Sequence, residues 1–104
     1  MDKFGEWNVI SLLVELQHHT LIYILTVFIE KDGEYFYLED EMDKIYDIMK
    51  IPSYIKNDWI EYNKKELNLK ILDKHISKLR DVVDDEIICQ LLSIRRDLQI
   101  KKIF

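Results

Sequence analysis

The first segment of the chain is mostly apolar, with its polar residues at helical spacing. These polar positions recur every three or four residues: Asn8, Ser11, Glu15 and His18. Because residues three or four apart share one side of a helix, the pattern predicts a helix over residues 5–17. Apolar side chains fill most of its circumference, so we expect this helix to lie centrally in the fold.

Residues 20–40 have the composition of two strands joined by a turn. The runs 21–29 and 34–38 are rich in β-branched and aromatic residues, and Lys31-Asp32-Gly33 separates them. Glycine there suits a position that favours positive φ, so the segment predicts a β-hairpin. An alternative interpretation continues the first helix to Glu30, with Gly33 just beyond its C-terminus.

Helical spacing returns after the hairpin. Residues 39–50 are predicted to form a short acidic helix, because apolar side chains share one side of it and acidic residues favour a helix N-terminus. Pro52 ends this helix, and Ser53 is positioned to cap the next one.

The last third of the chain contains two apolar series with steps of three and four. The first series consists of Leu69, Leu72, Ile76, Leu79 and Val83, and the second of Ile87, Leu91, Ile94 and Leu98. Asp84 at the junction favours a break and a new helix, which gives an antiparallel helical hairpin. The alternative is one helix over residues 66–101, long enough to form a coiled-coil dimer.

These patterns together predict an α+β fold, namely a helix-rich small single domain with one β-hairpin over residues 1–104. The alternative is an all-α helical bundle. An apolar content of 48% supports a folded chain. Sixteen isoleucines and no alanine indicate an AT-rich coding sequence, as in a virus or a bacterial mobile element.

Charge is distributed unevenly along the chain. Residues 1–52 carry eleven acidic residues against four lysines, a net charge of −7, whereas residues 53–104 carry nine acidic against eleven basic residues. Seven acidic residues lie between Asp32 and Asp47. Such a cluster attracts a basic protein and repels phosphates, so we do not expect nucleic acid as a partner, despite basic runs near the C-terminus.

The sequence predicts a cytoplasmic protein without a membrane segment. Its most apolar stretch, residues 9–29, has Glu15 and two histidines near its centre, and the uninterrupted part is too short to span a bilayer. The start of the chain, Met1 to Glu6, is not basic, unlike the start of a signal peptide. The single cysteine, Cys89, fits a reducing compartment and is expected in the core.

No catalytic motif is present, so we predict a protein that is not an enzyme and has no cofactor. Adjacent histidines such as His18 and His19 point in different directions on a helix and chelate a metal poorly. The acidic run lacks the glycine and the alternation of a calcium loop. We therefore predict neither catalytic nor metal-binding residues.

Tyrosine and tryptophan, which anchor many protein interfaces, occur in the same part of the chain as the acidic residues. The predicted partner-binding residues are Glu34, Tyr35, Tyr37, Glu39, Asp40, Glu41, Asp43, Tyr46, Asp47, Tyr54, Trp59 and Tyr62. Carboxylates around aromatic rings suit a lysine- or arginine-rich surface. We expect a small acidic inhibitor or neutraliser, of the immunity-protein, antitoxin or phage counter-defence kind, that covers a basic surface of a partner protein.

Two other functions fit the same sequence. A structural or assembly protein could homodimerise or dock through its C-terminal helices, with Leu69, Leu72, Ile76, Leu79 and Val83 as the interface. A transcriptional regulator could use the basic helices, although the acidic net charge argues against it.

Overall fold

The computed structural model describes residues 3–79 and 85–103. The chain divides into two compact units, residues 1–66 and residues 67–104. Unit 1 contains an antiparallel sheet and two helices, and unit 2 contains two helices. No described helix is long and apolar enough to cross a membrane.

The sheet of unit 1 has five strands that pair in the order in which they occur along the chain. The strands are β1 (Lys3–Phe4), β2 (Trp7–Gln17), β3 (Ile22–Lys31), β4 (Glu34–Glu41) and β5 (Lys65–Glu66). Helices α1 (Met42–Met49) and α2 (Ser53–Asn63) connect β4 to β5. Each neighbouring pair of strands is antiparallel. Short turns join β1 to β2, β2 to β3 and β3 to β4, as antiparallel pairing allows.

The turn between β3 and β4 fixes the register of the hairpin. Asp32 (φ 54°) and Gly33 (φ 80°) both adopt left-handed backbone, as a two-residue type I′ turn demands. The Glu30 carboxylate accepts a hydrogen bond from the Gly33 N–H at 3.0 Å. The predicted β-hairpin is confirmed, and the alternative that continued a helix to Glu30 is wrong.

The predicted N-terminal helix over residues 5–17 is wrong, because this segment forms strand β2. β2 pairs with β3 at nine positions, with a β-bulge between Val9 and Ser11. A bulge shifts the two-residue alternation by one position. Asn8 and Ser11, three residues apart, therefore lie on the same face of the sheet, together with Glu15. This spacing of polar residues resembles that of a helix.

The fold therefore differs from the predicted helix-rich domain with one hairpin. A five-stranded sheet accompanies four described helices, which is consistent with the α+β class and excludes the all-α bundle. The sequence predicts fewer strands than the sheet contains because β2 carries apolar residues on both faces. The alternation of polar and apolar side chains that is typical of a half-exposed strand is therefore absent.

One face of the sheet packs against α1 and α2, and we call it the helix-covered face. Its buried cluster consists of Phe4, Trp7, Leu25, Val27, Ile29, Leu38, Ile45 and Ile60. Ile45 comes from α1 and Ile60 from α2, and both side chains are fully buried. Burial of apolar area at about 25 cal/mol per Å² makes such a cluster the main source of stability for unit 1.

The predicted helix over residues 39–50 begins later, at Met42. Glu39, Asp40 and Glu41 continue strand β4 and pair with residues 24–26 of β3. The predicted cap at Ser53 is also wrong, because Ser53 is the first residue of α2 and Pro52 occupies the N-cap position. Proline suits the start of a helix because the first turn needs no intrahelical N–H donor.

Unit 2 is a pair of helices in contact, α3 (Leu69–Leu79) and α4 (Asp85–Ile103). The Arg95 Nε donates to Asp73 Oδ1 at 2.7 Å. In one continuous helix these residues would lie about 33 Å apart, so the single-helix alternative is wrong and the predicted break is confirmed. The proposed capping residue, Asp84, lies outside the described residues. Cys89, expected in the core, is exposed on α4.

A tight turn between β1 and β2 attaches α2 to the sheet. Gly5 has a φ of 61°, and the following Glu6 N–H donates to the Asn57 side-chain oxygen at 2.8 Å. A Cβ at Gly5 would collide with this oxygen and lie 3.3 Å from Ile60 Cδ1. Glycine is therefore needed here for both its backbone conformation and its size.

We predict that Gly5→Ala lowers the free energy of unfolding by about 2 kcal/mol, because positive φ and the collision with Asn57 both oppose a Cβ. Urea unfolding measures the change. In an Asn57→Ala background the same substitution should cost about half as much, since the collision with Asn57 is removed while the backbone strain and the close Ile60 contact remain. Equal costs in the two backgrounds would contradict the proposed collision.

Candidate partner-binding surface

Strand alternation divides the acidic run between two faces of the sheet. Glu39 pairs with Thr26 and Glu41 pairs with Ile24, which places both carboxylates on the face opposite α1 and α2. Asp40 pairs with Leu25 and therefore lies on the helix-covered face. The acidic residues that are consecutive in sequence thus do not form one continuous surface.

Helix α1 presents a second group of acidic residues. Because Ile45 is buried in the core, Asp43, Tyr46 and Asp47 lie on the exposed side, with helical spacings of three and four. Tyr46 is 48% exposed. Of the predicted partner-binding residues, these three form an exposed acidic and aromatic stripe.

A groove lies where the end of the sheet meets the start of α1. It has a volume of about 280 Å³ and is lined by Leu21, Ile22, Tyr23, Glu41, Met42 and Asp43. We call this site the acidic groove. The β3–β4 register explains it, because pairing of Ile24 with Glu41 brings the beginning of β3 beside the end of β4. The groove combines exposed apolar side chains with two carboxylates.

Leu21 is unusual in both its exposure and its backbone. Its side chain is 75% exposed, and its φ is 56°. For a non-glycine residue, left-handed backbone costs about 1–2 kcal/mol. Strained residues are concentrated at functional sites, and an exposed leucine gains little from burial that could offset the strain. Leu21 therefore marks the groove as a candidate site.

The two ends of unit 1 differ in how their charged side chains are paired. Near the β1–β2 and β3–β4 turns, Lys31 pairs with Glu6 at 3.1 Å, and Lys64 lies 4.4 Å from the Phe36 ring centroid and 4.9 Å from that of Trp7. These cations are held by carboxylate and aromatic neighbours.

The described carboxylates around the acidic groove and on α1 have no such charged partners. Within the described residues, no ion pair involves Asp40, Glu41, Asp43 or Asp47. Lys44 is on α1 and Lys50 is its C-cap, yet neither forms an ion pair among the described residues. The groove and the adjacent side of α1 therefore keep their negative charge available to a partner.

The remaining predicted aromatic residues are placed differently. Tyr37 is buried, and Trp59 packs against Phe4 with ring centroids 6.2 Å apart, so neither ring forms part of the exposed stripe. Tyr54 and Tyr62 are exposed on α2. Glu34 and Tyr35 lie at the β3–β4 turn, at the end of the sheet opposite the acidic groove.

In unit 2, the predicted interface residues are partly accounted for by packing within the chain. Leu72 and Ile76 are buried, and Leu69 is half-buried. The side chains of Leu79 and Val83 lie outside the described residues. A second groove, of about 400 Å³, is lined by Asp73, Ile76, Ser77, Leu92 and Arg95. Its two charged residues pair with each other, so it offers less free charge than the acidic groove.

Sequence reasoning missed the apolar half of the acidic groove. The composition around Leu21, Ile22 and Tyr23 predicts a buried strand, whereas the structure leaves these three side chains exposed. The exposure of these side chains depends on how far α1 covers the sheet. This is a tertiary property that a local sequence pattern does not reveal. Within the described residues, no group of three or more histidine, cysteine or acidic residues could hold a metal ion.

Comparison of the chain with protein-family models, with curated proteins and with solved structures gave no match. The function is therefore inferred from the site itself.

We predict that Leu21→Asn raises the free energy of unfolding by about 0.5–1 kcal/mol, because asparagine tolerates left-handed backbone better than leucine. Thermal and urea unfolding measure the gain. The matched control is Ile55→Asn, which replaces an exposed apolar residue in regular helix and should be neutral or destabilising. A loss of stability in Leu21→Asn would show that its side chain contributes packing that outweighs the strain.

Burial of the Tyr37 hydroxyl in the folded protein makes the free energy of unfolding depend on pH. Burial raises the pKa of Tyr37 above its ordinary value of 10.0, and the nearby Glu39 carboxylate raises it further. The folded state thus binds this proton more tightly than the unfolded state. Its stabilising contribution is complete below pH 10 and is lost as the pH rises through the folded pKa.

We predict that the free energy of unfolding falls more steeply above pH 10 in the wild type than in Tyr37→Phe, which has no hydroxyl to ionise. Urea unfolding at a series of alkaline pH values measures both proteins. Tyr54→Phe, at an exposed position, serves as the control and should follow the wild type. Identical slopes for wild type and Tyr37→Phe would contradict the raised pKa.

Proposed function

We propose that this protein is a small acidic protein-binding inhibitor or neutraliser whose acidic groove and adjacent α1 surface engage a basic segment of a partner protein. The observation that carries the proposal is the combination of exposed apolar residues, Leu21 to Tyr23, with the uncompensated carboxylates Glu41 and Asp43. A site that offers both apolar contact and negative charge suits a lysine or arginine side chain, because that side chain has both an aliphatic stem and a positive head.

The proposed contact uses both parts of a basic side chain. The aliphatic stem of a lysine or arginine packs on Leu21 and the Tyr23 ring, and its charged head reaches Glu41 and Asp43. The Tyr23 face offers a cation–π contact as well, because its side chain is half exposed. Arginine is favoured over lysine where its planar head can meet two carboxylate oxygens.

The α1 stripe of Asp43, Tyr46 and Asp47 extends the same surface. A basic segment that occupies the groove would continue along this stripe, with Tyr46 as a large apolar anchor between two carboxylates. Charge complementarity of this kind accelerates association and selects basic partners. Inhibition would follow from occlusion, because the partner's basic surface is then no longer accessible to its own acidic ligand.

A synthetic peptide of alternating lysine and leucine serves as the first probe, with a glutamate–leucine peptide of equal length as its control. We expect the wild type to bind only the lysine peptide, and more weakly as salt rises, because exposed charges are screened over about 8–10 Å at physiological ionic strength. Isothermal titration calorimetry measures the affinity. Equal binding of both peptides would contradict a charge-based site.

Charge reversal locates the site. Asp43→Lys combined with Asp47→Lys should weaken binding of the lysine peptide at least about tenfold and flatten its salt dependence. The control combines Asp58→Lys with Glu66→Lys, which changes the net charge equally. Asp58 follows Asn57, which contacts the β1–β2 turn at the other end of the sheet. Equal weakening in both variants would show an effect of net charge alone.

A further inference from the structure

Strand β2 has a long unpaired edge. On the side away from β3, the strand that pairs with it in the described part of the chain is β1, which reaches Trp7 and Asn8. Among the described residues, no strand pairs with that edge over residues 9–17. Every second residue of such an edge directs its N–H and C=O outward, which makes the edge a template for another strand.

The edge lacks the usual protection against strand pairing. Residues 9–17 contain neither lysine nor proline, and Glu15 is their one charged residue. The β-bulge between Val9 and Ser11 disturbs only the beginning of the segment, so residues 11–17 remain regular. An edge of this length and composition is available for a regular ladder.

Side chains beside this edge are apolar and exposed. Leu12 pairs with Val27 and Val14 pairs with Leu25, so both lie on the helix-covered face. Helix α1 packs over β3 and β4, and Leu12 and Val14 remain 37% and 49% exposed. The apolar surface thus continues past the helix cover to the free edge of the sheet.

We propose that β2 pairs antiparallel with β2 of a second copy of this chain, about a two-fold axis at Leu13. In this register Leu12 lies opposite Val14 of the second copy, and Val14 opposite Leu12. The four side chains form one apolar cluster on the helix-covered face, and two sheets join into one. A two-fold interface of this kind requires a self-complementary segment, which β2 is.

Charge does not oppose a second copy in this register. Glu15 lies opposite Ser11 of the second copy, and the two Glu15 residues are four positions apart, about 13 Å along the strands. This separation exceeds the screening length of about 8–10 Å. The acidic residues of β4 are five strand spacings from their counterparts, about 24 Å. Electrostatic repulsion between unit 1 of one copy and unit 1 of the other is therefore weak at physiological salt.

The proposal predicts a dimer that depends on the β2 edge. Sedimentation equilibrium from low micromolar to near-millimolar concentration should show a reversible monomer–dimer equilibrium for the full chain. Val14→Lys should weaken the dimer at least about tenfold, because it places a charge at the centre of the apolar cluster. Circular dichroism checks that the variant is folded. Val14→Thr, which keeps the branched shape, should weaken the dimer less than Val14→Lys.

The matched control is Ile55→Lys, an exposed apolar position on α2, which should leave dimerisation unchanged. A monomer at every concentration would overturn the proposal. So would a dimer that Val14→Lys leaves intact, or one that Ile55→Lys disrupts equally.

Disulfide formation tests the register directly. In a Cys89→Ser background, a mixture of Leu12→Cys and Val14→Cys proteins should form mixed disulfide dimers faster than either protein forms its own. Directly opposed side chains have Cβ atoms about 4.5–5.5 Å apart, close to the separation that a disulfide needs. Faster linkage of Val14→Cys with itself, or no preference, would overturn the proposed axis.

Discussion

The pairing of β3 with both neighbours is the constraint on which unit 1 depends. β3 is antiparallel to β2 over nine positions and to β4 over eight, and its residues Leu25 to Ile29 are buried throughout. The type I′ turn at Asp32 and Gly33 sets the β4 register, and a shift by one residue would exchange the two faces of the strand. Leu38 would leave the core, and Glu39 would enter it.

The same register determines where negative charge becomes available. Because Ile24 pairs with Glu41, the chain leaves the sheet beside Leu21 and Tyr23 and enters α1 immediately. Ile45 anchors α1 in the core and thereby turns Asp43, Tyr46 and Asp47 outward. The lysines at the other end are engaged by Glu6, Glu61 and aromatic rings. The charges near the turns are therefore paired, whereas the described carboxylates of the groove and of α1 have no ion-pair partner.

The hairpin could be predicted from sequence because its signal is local. Asp32-Gly33 between two β-type runs specifies a turn with positive φ at both positions, and no distant contact is needed to identify it. Strand β2 could not be predicted in the same way. The bulge near Ile10 places Asn8 and Ser11 on one face, and apolar residues on both faces conceal the alternation that identifies a strand.

The candidate site was predictable only in part. The acidic residues of α1 and Tyr46 follow from helical spacing around Ile45. The division of Glu39, Asp40 and Glu41 between two faces depends on β4 extending to residue 41, and the exposure of Leu21 to Tyr23 depends on where α1 stops covering the sheet. Both are tertiary properties. The aromatic residues show the same limit, since composition alone does not distinguish buried Tyr37 from exposed Tyr46.

The most direct test of the proposed function is affinity capture from the lysate of the native organism, with the wild type and the Asp43→Lys, Asp47→Lys variant as baits and cross-linking mass spectrometry as the readout. We expect one stoichiometric basic protein that the wild type retains at low salt and releases at high salt, that the variant does not retain, and that cross-links near α1. A partner retained equally by both baits, or cross-linked only to α3 and α4, would contradict it.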